Sequence, residues 1–196
     1  PKGGVVIVQE IFGINAHIRS VTDRYASFGY TAIAPAFFDH IEKDVELGYE
    51  GKNFEKGRDL ATQVGMDRAV EDVASAAEAI GSAGKIGVIG FCWGGSVAFL
   101  CAIRLGMPAI SYYGARNAQY LTEKPKAPVQ FHFGEKDESI PPEIVQKHRD
   151  ALPQMEVYTY PTGHAFNRDI DPKHYDPASA KLAQERALAF LARNIG

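Results

Sequence analysis

The residues best suited to chemistry in this 196-residue chain are Gly90-Phe91-Cys92-Trp93-Gly94-Gly95. They follow an apolar strand pattern at 85–90 and open a helical pattern at 96–105. Glycine on both sides of a nucleophile suits a sharp strand-to-helix turn, because the nucleophile's backbone is strained there and strand and helix pack closely. Such a turn lifts the side chain clear of the sheet and sets it at a helix N-terminus. Free N–H groups and the helix dipole then favour a thiolate or an oxyanion, the species of nucleophilic acyl transfer. Taken alone, the motif also fits a buried cysteine in a glycine-rich connection.

Two further strand ends complete a constellation. Phe131-His132-Phe133-Gly134-Glu135-Lys136-Asp137 closes one strand pattern, with Asp137 in the loop beyond it. Tyr160-Pro161-Thr162-Gly163-His164 closes the next, with His164 in its loop. Nucleophile, acid and histidine follow in the chain order of the α/β-hydrolase triad, each beyond the carboxyl end of a strand, where such sheets bind ligands. Other candidates read differently. His132 lies within a strand and is expected to be a hydrogen-bonded core residue. His17, His40, His148 and His174 are read as surface, Glu135 and Asp150 as solvated, and Cys101 as packing on an apolar helix face. No two histidines share a helix at metal-ligand spacing, so no metal is expected. Glu10, ending the first strand, is either a surface charge or a carboxylate pointing into the site opposite Cys92.

The elements that position these residues alternate. Strand patterns at 4–9, 30–35, 85–90, 109–113, 128–133 and 156–160 are separated by helical patterns at 17–28, 54–80, 96–105, 142–152 and 178–193. Continuous apolar strands between helices imply an α/β fold, a mostly parallel sheet with helices on both faces. Ser139 is expected to cap the helix after Pro141-Pro142, and Asp176 the helix that Pro177 begins. Residues 36–53 have no clear period and read as a loop or short helix over the top of the sheet. Without an internal repeat or linker, residues 1–196 are expected to form one domain.

Bulk properties narrow the partners. With 45% apolar and 23% charged residues, the chain has a globular composition and needs neither metal nor disulfide to fold. The net charge of −3 and scattered Lys and Arg give no nucleic-acid surface. No apolar run is long enough to span a bilayer, and residues 5–8 are too short for a signal peptide. Cys92 and Cys101 lie about 13 Å apart along a helix, too far for a disulfide, so a cytoplasmic setting is expected. Pro1 is not an initiator, and an N-terminal piece is expected to have been lost.

Gln9-Glu10-Ile11-Phe12-Gly13, the Cys92 turn, Tyr112-Tyr113-Gly114, residues 134–137 and Gly163-His164-Ala165-Phe166 together resemble the dienelactone hydrolase family of α/β-hydrolases, almost from end to end. The resemblance implies Cys92, Asp137 and His164 as catalytic residues. It also implies that the thiol rests neutral beside Glu10, away from His164, because burial and a nearby negative charge both raise a thiol's pKa. Backbone N–H groups of Ile11 and Trp93 would form the oxyanion hole, and Arg168 would bind a substrate carboxylate unless it pairs with Asp169 or Asp171. A second cation falls at Lys56 or Arg58. Two strands that usually precede residues 4–9 in the family are absent from this chain. The implied activity is cofactor-free hydrolysis of a small ester or lactone through a thioester, with dienelactone conversion to maleylacetate leading. A promiscuous carboxylesterase or thioesterase on neutral esters and a non-catalytic thiol sensor are the other readings. Monomer and homodimer both remain open.

Overall fold

Six short apolar runs become parallel strands, β1 (Gly4–Val8), β2 (Thr31–Ile33), β3 (Ile86–Phe91), β4 (Ala109–Tyr112), β5 (Val129–Gly134) and β6 (Glu156–Tyr160). The computed structural model describes residues 2–196; Pro1, on which the expectation of a lost N-terminal piece rested, lies outside them. The strands form one sheet in the order β2-β1-β3-β4-β5-β6. Every residue of β1, β4 and β5 is buried. Successive strand side chains point to opposite faces, so burial without alternation means that both faces are covered.

The cover is helical: α1 (Ala16–Ser27), α2 (Lys52–Val64), α3 (Met66–Ala79), α4 (Trp93–Arg104), α5 (Pro142–Ala151) and α6 (Pro177–Asn194). From β1 the chain returns to one side, into β2, whereas from β3 it moves to the other, into β4. Right-handed crossovers therefore carry α1 and α4 over opposite faces and open a crevice beyond the carboxyl ends of β1 and β3. Glu10 and Ile11 leave β1 at this crevice, and Cys92 leaves β3 there.

Several boundaries differ from the sequence reading. The helical pattern at 54–80 is two helices, broken at Gly65, whose φ of +76° cannot continue a helix. Strand β2 is three residues long rather than six, and half-buried at the sheet edge. Ser139 caps nothing: α5 starts behind Pro141 without a side-chain cap, and the Ser139 N–H donates to Asp137 Oδ1 at 2.9 Å. Asp176 does cap α6, accepting from the Ser179 N–H at 3.2 Å. Residues 36–53 contain a 3-10 turn, Phe37–His40, whose two phenylalanines are buried against Trp93. This segment is tied to the end of β1 by a Gly13–Glu46 bridge and by Leu47 N–H donating to Phe12 O at 2.9 Å. No helix among the described residues is long and apolar enough to cross a membrane.

Candidate active site

Cys92 sits between β3 and α4 with φ +58°, a left-handed backbone rarely adopted by residues other than glycine. Strain of this kind costs about 1–3 kcal/mol and persists only where surroundings enforce it. The flanking glycines do so. A Cβ on Gly90 would lie 1.7 Å from the Gly94 carbonyl oxygen, and one on Gly94 would lie 2.4 Å from the carbonyl oxygens of Val8 and Gln9. The Cys92 N–H donates to Tyr112 O at 3.0 Å, and its carbonyl accepts from Gly95 N–H at 2.9 Å. The side chain is thereby left partly exposed at the start of α4.

His164 Nε2 lies 3.3 Å from Cys92 Sγ, and His164 Nδ1 lies 2.6 Å from Asp137 Oδ2. Asp137 is 3% exposed, and its other oxygen takes the Ser139 N–H, so the carboxylate is held at both ends. The Tyr113 ring lies against His164 at a centroid distance of 4.9 Å. Burial alone disfavours the imidazolium. The negative charge of Cys92 as thiolate, followed by the hydrogen bond to Asp137, outweighs that effect and pushes His164 up to about 10. The structure thus brings Cys92, His164 and Asp137 into one chain of contacts from three strand ends.

Glu10 is not brought onto the thiol. It is fully buried, so it is not a surface charge, and its oxygens face Arg168. Arg168 Nη2 and Nε donate to Glu10 Oε2 at 2.7 and 3.1 Å, and Nη1 donates to Asp171 Oδ2 at 2.9 Å. The same Asp171 oxygen meets His174 Nδ1 at 2.6 Å. The Arg168 guanidinium lies 4.1 Å from the Tyr49 ring centroid, which closes its face. Arg168 is 5% exposed, and its charge is matched by Glu10 and Asp171. Asp169, the other expected partner, turns to α1 instead. It accepts from His17 Nδ1 at 3.0 Å and Arg24 Nη2 at 2.6 Å.

Two histidines read as surface are therefore core residues. His17 is fully buried beneath that carboxylate. His148 is buried too, its ring edge-on to Phe131 and Phe133 and its Nδ1–H donating to Ile144 O at 2.8 Å; burial lowers its pKa. His40 and His174 are exposed, paired with Asp72 and Asp171. His132 is buried between Gln130 Oε1 and the Tyr160 hydroxyl, and desolvation pulls it down to about 3. Cys101 is fully buried, which pushes its thiol up to about 12. Glu135 and Asp150 are exposed.

A cavity of about 650 Å³ opens on Cys92 and His164 and reaches Ile11 and Trp93. Trp93 is the first residue of α4, so its N–H has no acceptor within the helix. The Ile11 N–H has no backbone acceptor among the described residues. Of the two cations considered earlier, Arg58 lines the cavity, whereas Lys56 turns to Glu42 at 2.9 Å. Arg168 is not on the wall, but Arg116 and Lys136 are. Sequence reasoning gave those two no role, although Arg116 lies two residues beyond Tyr112-Tyr113-Gly114 and Lys136 lies within the 134–137 motif. No group of three or more His, Cys, Asp or Glu side chains that could hold a metal occurs among the described residues.

The family model described as "Dienelactone hydrolase family" matches residues 1–195. A carboxymethylenebutenolidase of Pseudomonas putida is 32% identical over 204 residues, covering 98% of this chain and 86% of that one. A crystal structure from Klebsiella pneumoniae, ascribed to dienelactone hydrolases, superposes with a TM-score of 0.85 at 31% identity, covering 96% of this chain and 86% of the other. A Xanthomonas campestris protein ascribed to the α/β hydrolase superfamily shares the fold at 15% identity, with a TM-score of 0.66 and coverage of 95% and 99%. The fold is that of the α/β-hydrolases.

Proposed function

The chain belongs to the dienelactone hydrolase family and is a hydrolase of that type, and from this premise we propose that it cleaves a small ester or lactone through a thioester on Cys92. The observation that carries the reading is the contact of His164 with both Cys92 Sγ and Asp137 at the cavity floor.

The Cys92 thiolate attacks the carbonyl carbon while the carbonyl oxygen, gaining charge, accepts from the Ile11 and Trp93 N–H groups. Each such donor contributes roughly 3–4 kcal/mol to the transition state. As the carbon–oxygen bond breaks, the leaving oxygen takes the Nε2 proton of His164, and the acyl group remains on sulfur. Neutral His164 then removes a proton from water, whose hydroxide attacks the thioester. The acid departs and the thiolate–imidazolium pair is restored. Asp137 fixes the ring and stabilises its charged form. Glu10 acts here through Arg168, fixing the floor of the site, rather than through a resting contact with the thiol. No cofactor enters this sequence of steps.

Substrate identity is read from Arg58 and from the relatives' activity. The Pseudomonas putida relative is named for carboxymethylenebutenolide hydrolysis, and a carboxylated lactone fits a cavity with Arg58 on its wall. The test is steady-state hydrolysis of a dienelactone beside a neutral p-nitrophenyl ester, with Cys92→Ala as control. Cys92-dependent preference for the dienelactone supports the reading. Preference for the neutral ester keeps the cysteine chemistry and removes the carboxylated lactone. Stoichiometric labelling of Cys92 without turnover of either substrate favours a thiol sensor.

A further inference from the structure

The cavity wall carries more positive charge than the family reading of its substrate uses. Arg58, Arg116 and Lys136 all line it, and the uncommitted carboxylate among them is Glu138, since Asp137 is held by His164 and Ser139. None of these three cations has an ion-pair partner among the described residues. Exposed lysines and arginines without a function to serve commonly sit beside surface carboxylates or point to open solvent. Here they converge on one concavity that also holds a nucleophile. Like charges gathered in a concave, low-dielectric wall concentrate an opposite charge there.

Their placement is set by the sheet. Arg58 comes from α2, which presses on the end of β1: a Cβ on Gly57 would lie 2.1 Å from Ile11 O. Arg116 leaves the end of β4, and its backbone N–H donates to Ser96 Oγ at 3.1 Å, one turn along the helix that Cys92 opens. Lys136 leaves the end of β5, held by its N–H on Thr162 O at 2.9 Å. Because β3 lies between β1 and β4 in the sheet, Cys92 stands between Arg58 on one side and Arg116 with Lys136 on the other.

We propose that Arg116 and Lys136 form a second anion subsite across Cys92 from Arg58, so that the preferred substrate carries a carboxylate on the β4–β5 side of the scissile carbonyl. The inference rests on the hydrolase reading of Cys92 and narrows its substrates to anionic esters or lactones charged on that side. It assigns specificity to two residues on the loops after β4 and β5, and none to Arg168, whose donors are occupied by Glu10 and Asp171. The subsite works by charge, and both side chains are at least partly exposed, so each contributes modestly and is weakened by salt.

The experiment compares mono-p-nitrophenyl succinate, an anionic ester, with neutral p-nitrophenyl butyrate, and follows the ratio of their kcat/KM values. Replacing Arg116 with Ala is expected to lower the anionic-to-neutral ratio about five-fold, and adding Lys136→Ala to lower it about five-fold again. Arg116→Lys retains most of the ratio, and raised salt compresses it in the unmodified protein. A ratio unchanged in the double variant overturns the subsite while leaving the hydrolase reading intact. If neither ester is turned over in a Cys92-dependent way, the hydrolase reading fails by itself. The subsite is then decided on Cys92 alkylation by iodoacetate against iodoacetamide. A fall in the iodoacetate-to-iodoacetamide rate ratio in the double variant sustains it, and equal ratios overturn it.

Discussion

Arg168 holds Glu10 through two of its nitrogens, at 2.7 and 3.1 Å, across 158 positions of sequence. The pair ties the loop that carries His164 to the end of β1, where Ile11 faces the nucleophile. Both side chains are buried, so neither charge can be relieved by water once its partner is gone.

Glu10→Gln leaves the Arg168 guanidinium buried with only Asp171 to balance it. Removing one member of a buried pair costs about 3 kcal/mol or more, and a loss of that size is expected in urea unfolding. Combining Glu10→Gln with Arg168→Met removes both charges and is expected to recover part of the loss. A single variant within about 0.5 kcal/mol of the unmodified protein would show that the pair is not a structural tie.

Asp137→Asn keeps the size of the side chain but removes the charge that holds His164 Nδ1. A drop in kcat of about a hundredfold or more is expected, with little change in unfolding. Steady-state kinetics on any ester the protein turns over provides the check. Near-normal kcat would place the orienting group elsewhere.

The raised His164 pKa owes more to Cys92 than to Asp137. Cys92→Ala removes the thiolate, so the imidazole is expected to titrate well below about 10. NMR titration of the His164 ring in both proteins tests this. Coincident midpoints would mean that the thiol is neutral beside the ring.

Asp169 is pulled down to about 2, first by the hydrogen bond from His17 and then, against burial, by the charges of His17 and Arg24. A depressed carboxyl contributes stability that is present above its unfolded pKa of about 3.9 and is lost as pH falls through the folded value. Asp169→Asn should therefore cost about 1 kcal/mol at neutral pH, discounted for partial exposure. That difference should shrink between pH 4 and pH 2. A difference independent of pH would assign the effect to packing.

What the sequence made legible were features written locally. Glycines around Cys92 announce a turn that only glycine can flank, and Asp137 and His164 each follow a strand pattern rich in aromatic and β-branched residues. Pairing at long range is not written that way: nothing near Glu10 or Arg168 points from one to the other. The break at Gly65 was hidden because α2 and α3 each carry a buried apolar face, giving one continuous helical pattern. His17 and His148 were misread from polar neighbours, yet spacing held the signal. His17, Val21 and Tyr25 recur every fourth residue on the buried face of α1, and His148 follows the buried Val145 by three. Arg116 and Lys136 have no periodicity to betray them; only the sheet order places them beside Cys92.

The central claim is that Cys92 carries the acyl group. Rapid mixing with a p-nitrophenyl ester, acid quenching and peptide mapping by mass spectrometry test it most directly. The account predicts an acyl adduct on the Cys92 peptide of the unmodified protein, and neither adduct nor turnover for Cys92→Ala. Turnover by Cys92→Ala at a rate close to that of the unmodified protein, or an adduct on another residue, would contradict it.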